Sequence, residues 1–190
     1  MALTDNLVAY WRLDEASGTR ADSSGNGRSL SDSGSPVSRA GKLGDAADFV
    51  AASSQHLLTT DATVRGTITD SAGWTLAGWL MPDDTVTRAI AGNFLQGTTK
   101  GLSVQMFAAF SVPRELIVQW FDNTGGSTLA FPGASFTLSA WNFWAVKYDP
   151  ADDKLYVRTN GTTAAGVSCA GKTFTQYDAE FRLGNRGSSP

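Results

Sequence analysis

Apolar residues recur at every second position along most of this chain, and that period predicts strands. From Leu7 to Leu13 the odd positions Leu7, Ala9, Trp11 and Leu13 form one apolar face. Leu102, Val104 and Met106 alternate with Ser103 and Gln105, and Leu116, Val118 and Trp120 alternate with Ile117, Gln119 and Phe121. Trp74 to Met81 is apolar on both sides, which predicts a central strand, and it stops at the turn signal Pro82-Asp83-Asp84. Trp141 to Tyr148 is an aromatic strand closed by Asp149-Pro150-Ala151-Asp152-Asp153. Leu155 to Arg158 follows, Asn160-Gly161 predicts a tight hairpin turn, and Phe181-Arg182-Leu183-Gly184 is the last strand. No stretch carries a helical period; Thr60 to Asp70 has room for one short turn. The pattern predicts an all-β fold of two antiparallel sheets packed face to face.

Composition narrows this picture. At 190 residues the chain is expected to form a single domain, 1–190, with a real core. Twenty Gly and six Trp suit turns and strands rather than helices. The net charge of −3, with arginines scattered singly, argues against nucleic acid as a partner. No run approaches membrane-spanning length, so no membrane partner is expected. Met1-Ala2-Leu3-Thr4-Asp5 lacks the charged and apolar regions of a signal peptide, as in a protein made in the cytoplasm. The single cysteine, Cys169, permits no intrachain disulfide and is read as a small buried residue on a strand.

The chemistry on offer is sparse. Asp22-Ser23-Ser24-Gly25-Asn26-Gly27 is an oxygen-rich loop that no helix tolerates. Asp22, Asn26 and Asp14 are its candidate calcium ligands, since hard oxygen donors on a tight loop suit that cation. A plain Asx-turn loop is the competing reading. The long polar segment Ser17 to Lys42 is expected to be functional or well tied down. His56 stands alone, without partners for a zinc site, and is read as a surface or strand-start residue. Asp178 and Glu180 share a strand face but are flanked by Tyr177 and Phe181, which look structural, so no catalytic pair is expected. Trp120, Phe121 and Tyr177 are candidate glycan-stacking rings, while Trp11, Trp74, Trp79, Trp141 and Trp144 are read as core.

The order of these pieces resembles the laminin-G-like branch of the concanavalin A-like lectin/glucanase superfamily. The segments that carry the resemblance are Val8-Ala9-Tyr10-Trp11-Arg12-Leu13-Asp14-Glu15, Asp22 to Gly27, Gly41-Lys42-Leu43-Gly44-Asp45-Ala46-Ala47-Asp48-Phe49, Trp74 to Pro82 and Trp141 to Asp149. The resemblance implies a jelly-roll sandwich and raises the expectation of calcium at the Asp22 loop. The Glu-x-Asp-x-x-Glu strand of the superfamily's glucanases is absent, so no enzyme is expected. Related domains continue past the Phe-x-Leu-Gly strand with one more strand beside the first. The edge of Leu7 to Leu13 is therefore expected to be covered by something outside residues 1–190. The opening Met1 to Trp11 is similar to laminin-G-like proteins of tailed bacteriophages. This implies a non-catalytic virion protein, a capsid decoration or fibre, partnered by a capsid protein or by copies of itself and able to bind glycans. The alternative is an extracellular carbohydrate-binding module of a bacterial secreted protein.

Overall fold

The computed structural model describes residues 5–83, 88–93, 101–107, 115–122, 125–172 and 180–184. Over these the chain forms β1 (Ser31–Ser33), β2 (Val37–Ala40), β3 (Asp45–Asp48), β4 (His56–Thr59), β5 (Trp74–Leu80), β6 (Arg88–Gly92) and β7 (Gly101–Phe107). It continues with β8 (Glu115–Asp122), β9 (Gly125–Ser135), β10 (Asn142–Asp149), β11 (Lys154–Thr159), β12 (Thr162–Thr163), β13 (Val167–Ser168) and β14 (Phe181–Leu183). A short helix, α1 (Ala62–Thr67), falls where the sequence left room for a turn. Asp61 caps it, its carboxylate accepting from the N–H groups of Thr63 and Val64 at 3.0 Å each.

The strands make two main antiparallel sheets. The order β1-β4-β14-β6-β7-β8-β9 forms a seven-stranded sheet, and β12-β11-β10-β5 forms the other, with β13 also paired to β11. The hairpin β2-β3 stands apart from both. Alternation in the sequence becomes a buried face. Trp144, Val146 and Tyr148 of β10 and Leu155 and Val157 of β11 point inward and meet Leu116, Val118, Ile90 and Phe181 from the seven-stranded sheet. Trp74 stacks on Tyr148 with ring centroids 6.3 Å apart. Cys169 lies buried just past β13; burial above all raises its thiol pKa to about 11, so it stays protonated and inert. The β11–β12 hairpin turns through Asn160 (φ 48°) and Gly161 (φ 90°), the two successive positive φ values that the Asn-Gly pair foretold.

Two expectations need correction. Leu7 to Leu13 is not a sheet strand: its one pairing is an isolated bridge from Trp11 to Asp22. The reason lies in the loop beside it. The Tyr10 N–H donates to the Asp22 carboxylate rather than to a strand, and Leu13 (φ 62°) turns the chain away. Val8, Ala9 and Trp11 still pack on the core, and the Trp11 ring stacks on Phe181 at 5.9 Å. Secondly, β5 ends the order of its sheet and among the described residues is hydrogen-bonded to β10 alone. Between its free edge and residues 5–9 runs an apolar groove of about 530 Å³, lined by Val8, Trp11, Ile68, Trp74, Leu76 and Phe181 among others. No strand of the described residues fills it.

The segment from Ser17 to Lys42 is tied down, and it contains β1 and β2 rather than loop alone. Arg20 is fully buried there and donates to the carbonyls of Gly18 (2.6 Å) and Pro36 (3.1 Å). Gln55 holds the same segment through the carbonyls of Gly34 (2.9 Å) and Ser35 (3.2 Å). His56 opens β4 and is buried, with Nδ1 2.9 Å from the Ser54 carbonyl.

Candidate functional site

The Asp22 loop is occupied with its own backbone. Asp22 Oδ1 accepts from the N–H of Tyr10 (3.0 Å) and Ser24 (2.9 Å), and Oδ2 from the Ser24 hydroxyl (2.8 Å) and the Arg28 N–H (2.9 Å). Asn26 donates its amide to the carbonyls of Leu7 (2.9 Å) and Val8 (3.1 Å). Asp14 is paired instead with Arg12 at 2.8 Å. Each of the three candidate ligands thus makes side-chain contacts within the protein, and no group of three or more His, Cys, Asp or Glu side chains that could hold a metal ion gathers among the described residues. The Ser24 N–H bond to Asp22 Oδ1 is that of an Asx turn, and the donors on both carboxylate oxygens are what calcium would have to displace. Melting in excess calcium and in chelator is expected to give the same midpoint; a rise of several degrees with calcium would show that the loop opens to take the ion.

The same bonds predict a pH dependence. Burial pushes the Asp22 pKa up, but the N–H groups of Tyr10, Arg28 and Ser24 and the Ser24 hydroxyl outweigh it, and the pKa falls from 3.8 to about 2. A lowered folded-state pKa means that the carboxylate's stabilisation is complete above the unfolded value of about 4 and is lost as pH falls towards 2. Asp22→Asn is expected to melt lower at neutral pH and to lose part of the acid-side slope between pH 4 and 2. An unchanged acid profile in the variant would contradict this.

Trp120 and Phe121 belong to β8, paired with Leu102 and Gly101 of β7, but their side chains lie outside the described residues, as does Tyr177. Asp178 lies outside them too, and Glu180 is bound by the guanidinium of Arg182.

A different aromatic surface is plainly built. Register places the outward residues of the five-stranded sheet in rows. Trp79 stands opposite Phe143, Ala77 opposite Ala145 and Thr75 opposite Lys147. Across the other side of β10, Ala145 faces Arg158 and Lys147 faces Tyr156. Trp79, read from the sequence as core, is 48% exposed. Strand alternation explains this: Trp74 faces the core, so Thr75, Ala77 and Trp79 must face out. The Trp79 and Phe143 rings meet edge to face at 5.6 Å and 67°. Lys42 Nζ lies 5.2 Å from the Trp79 ring centre.

The middle row, Ala77 and Ala145, is low and flat. One side is bounded by the Trp79–Phe143 pair and the other by Lys147 and Tyr156, with Lys147 Nζ 6.0 Å over the Tyr156 ring. Phe143 and Lys147 are four residues apart, roughly 13 Å along β10. The result is a shallow trough with aromatic walls and an apolar floor. Further bonds fix the strand and the rim. Asn160 Oδ1 accepts from the Phe143 N–H at 2.9 Å, while the Tyr156 hydroxyl donates to Asp152. Gly166 leaves room for the Tyr156 ring, since a Cβ there would lie 2.6 Å from it. A trough of this kind can take the apolar face of a flat ring and offer charged groups to its rim.

A laminin-G-like family model, described as the concanavalin A-like lectin/glucanases superfamily, matches residues 51–190. The chain belongs to that superfamily. Among solved structures it is similar to domain 4 of AbnA, a GH43 extracellular arabinanase from Geobacillus stearothermophilus, in complex with arabinotriose. That match has a TM-score of 0.64 and 16% identity, over 93% of this chain and 87% of that one. It is also similar to the CBM40 of the Ruminococcus gnavus IT-sialidase, with a TM-score of 0.52 and 17% identity over 66% of this chain and 70% of that one. A third likeness is to the binding domain of Botulinum Neurotoxin DC in complex with SialylT, with a TM-score of 0.54 and 9% identity over 90% of this chain and 44% of that one. At these identities the likenesses establish the jelly-roll fold. No curated protein matches the sequence.

Proposed function

We propose that this superfamily member is a non-catalytic glycan-binding module whose binding face is the outer surface of the five-stranded sheet. The observation that carries this reading is the half-exposed Trp79 ring, set edge to face with Phe143 beside the flat Ala77–Ala145 row. A large indole turned to water costs solvation free energy unless a partner covers it, and sugar rings present apolar faces of matching shape. Support comes from the three structural neighbours: domain 4 of AbnA is described in complex with arabinotriose, the sialidase neighbour is a CBM40, and the neurotoxin neighbour is a binding domain in complex with SialylT. Several carboxylates serve other groups: Glu180 holds Arg182, Asp149 holds Lys147, and Asp152 takes the Tyr156 hydroxyl. A glycan array probed with the intact chain is expected to show a restricted set of bound structures. An array without a bound glycan would contradict the reading.

Carriage on a bacteriophage particle, as a capsid decoration or fibre protein, is a further proposal that rests on the resemblance of Met1 to Trp11. A glycan-binding module fits that setting and fits an extracellular bacterial protein equally. The copy number of the chain in purified particles tests it.

A further inference from the structure

The trough has a charge pattern that ring stacking leaves unused. The chain as a whole is acidic, with a net charge of −3. Its five-stranded sheet nevertheless turns Lys147, Lys154 and Arg158 outward, with Lys42 over Trp79. The acids of this face are already committed. Asp149 pairs with Lys147 at 2.7 Å, and Asp152 lies 3.6 Å from Lys154 while also accepting the Tyr156 hydroxyl. Lys42 and Arg158 have no carboxylate partner among the described residues.

Position makes Arg158 the more telling of the two. It stands directly opposite Ala145, in the row next to the aromatic pair. Diagonal neighbours in a sheet are about 7–8 Å apart, within reach of a long side chain. A sugar stacked on Trp79 and Phe143 would thus carry its ring substituents over Ala145 toward the guanidinium. The alanine floor has no side-chain hydrogen-bonding group, and of the cations around it Lys147 is already paired with Asp149, which leaves Arg158 to meet a polar substituent there. A guanidinium recognises a planar carboxylate through two parallel N–H donors, a match that a neutral hydroxyl does not offer. Lys42 adds a second positive charge at the Trp79 end.

The geometry points to an anionic glycan as the ligand class, with a sugar carboxylate, of a uronic or a sialic acid, seated on Arg158. This rests on the glycan-binding reading and sharpens it. The test is isothermal titration of the intact protein with uronic-acid and sialylated trisaccharides, each against its own methyl ester. The ester keeps the ring face and removes only the charge. At least one acid is expected to bind ten-fold or more tightly than its ester, and to weaken as salt rises. Arg158→Gln, an exposed change that leaves the core untouched, is expected to erase the acid's advantage without moving the melting midpoint. Esters that bind as tightly as their acids overturn the assignment, as does an acid whose advantage survives Arg158→Gln. Neutral glycans binding where every acid fails overturns it too, and leaves the aromatic platform standing. No binding of any sugar, acidic or neutral, removes both.

Discussion

Trp79→Ala is expected to abolish detectable glycan binding and to leave the fold intact. The indole is half exposed on β5, the last strand in the order of its sheet, and its ring meets Phe143 edge to face and lies under the Lys42 ammonium. A central aromatic of a binding surface commonly carries about 2 kcal/mol or more, which is a roughly 30-fold or greater loss of affinity. Stability has less to lose. The edge-to-face contact contributes about 0.5–1.5 kcal/mol, which shifts the midpoint of a domain this size by a few degrees at most. Calorimetric melting and titration on one sample separate the two effects. A variant that still binds like the parent, or one that unfolds, would refute the assignment of Trp79 to a binding face.

Asn142→Ala is expected to be the most destabilising of the polar substitutions near the site. Asn142 is completely buried at the head of β10. Its Oδ1 accepts from the Thr137 N–H (2.8 Å) and from Asn160 Nδ2 (2.7 Å), and its Nδ2 donates to the carbonyls of Thr137 (2.8 Å) and Ala140 (2.7 Å). Every hydrogen-bonding position of the amide is used. Truncation strands partners on two chain segments at once, with a cost of about 2–4 kcal/mol after partial rehydration. That corresponds to a midpoint roughly 5–15 °C lower for a domain of this length. Asn160 would be released as well, and with it the support of the Phe143 backbone. Asn142→Asp keeps the acceptors and loses the donors, so it is expected to fall between. A shift of under 1 kcal/mol for Asn142→Ala would show that the surrounding loop closes up without it.

Much of the fold was legible in the chain because strand period and turn chemistry are local. The alternation at Leu155 to Arg158 and the Asn160-Gly161 pair specified a hairpin, and the hairpin is there. Lateral order was not legible. Trp74 to Leu80 is apolar at nearly every position, so periodicity could not say which face was out or that β5 lies at an edge. The signal that could have found the site was small: Thr75 and Ala77 share the parity of Trp79, and neither is a strong core residue. Lys42 reaches the Trp79 ring from 37 positions away along the chain, a contact that only tertiary structure creates. Leu7 to Leu13 misled for the opposite reason. Its side chains have the strand pattern, but the neighbouring carboxylate of Asp22 takes the Tyr10 amide and replaces a ladder with a single bridge. Composition offers the oxygens of Asp22 and Asn26, but it does not show the backbone N–H groups that the Asp22 carboxylate gathers around itself.

The central claim is that sugar binds on the outer face of the five-stranded sheet, and the indole N–H resonances of the six tryptophans report on it one by one. Titrating a glycan from the array into isotopically labelled protein is expected to move the Trp79 indole signal most, while those of the buried Trp74 and Trp144 stay in place. A titration that moves Trp120 and leaves Trp79 unmoved would put the ligand on the seven-stranded sheet and contradict the account.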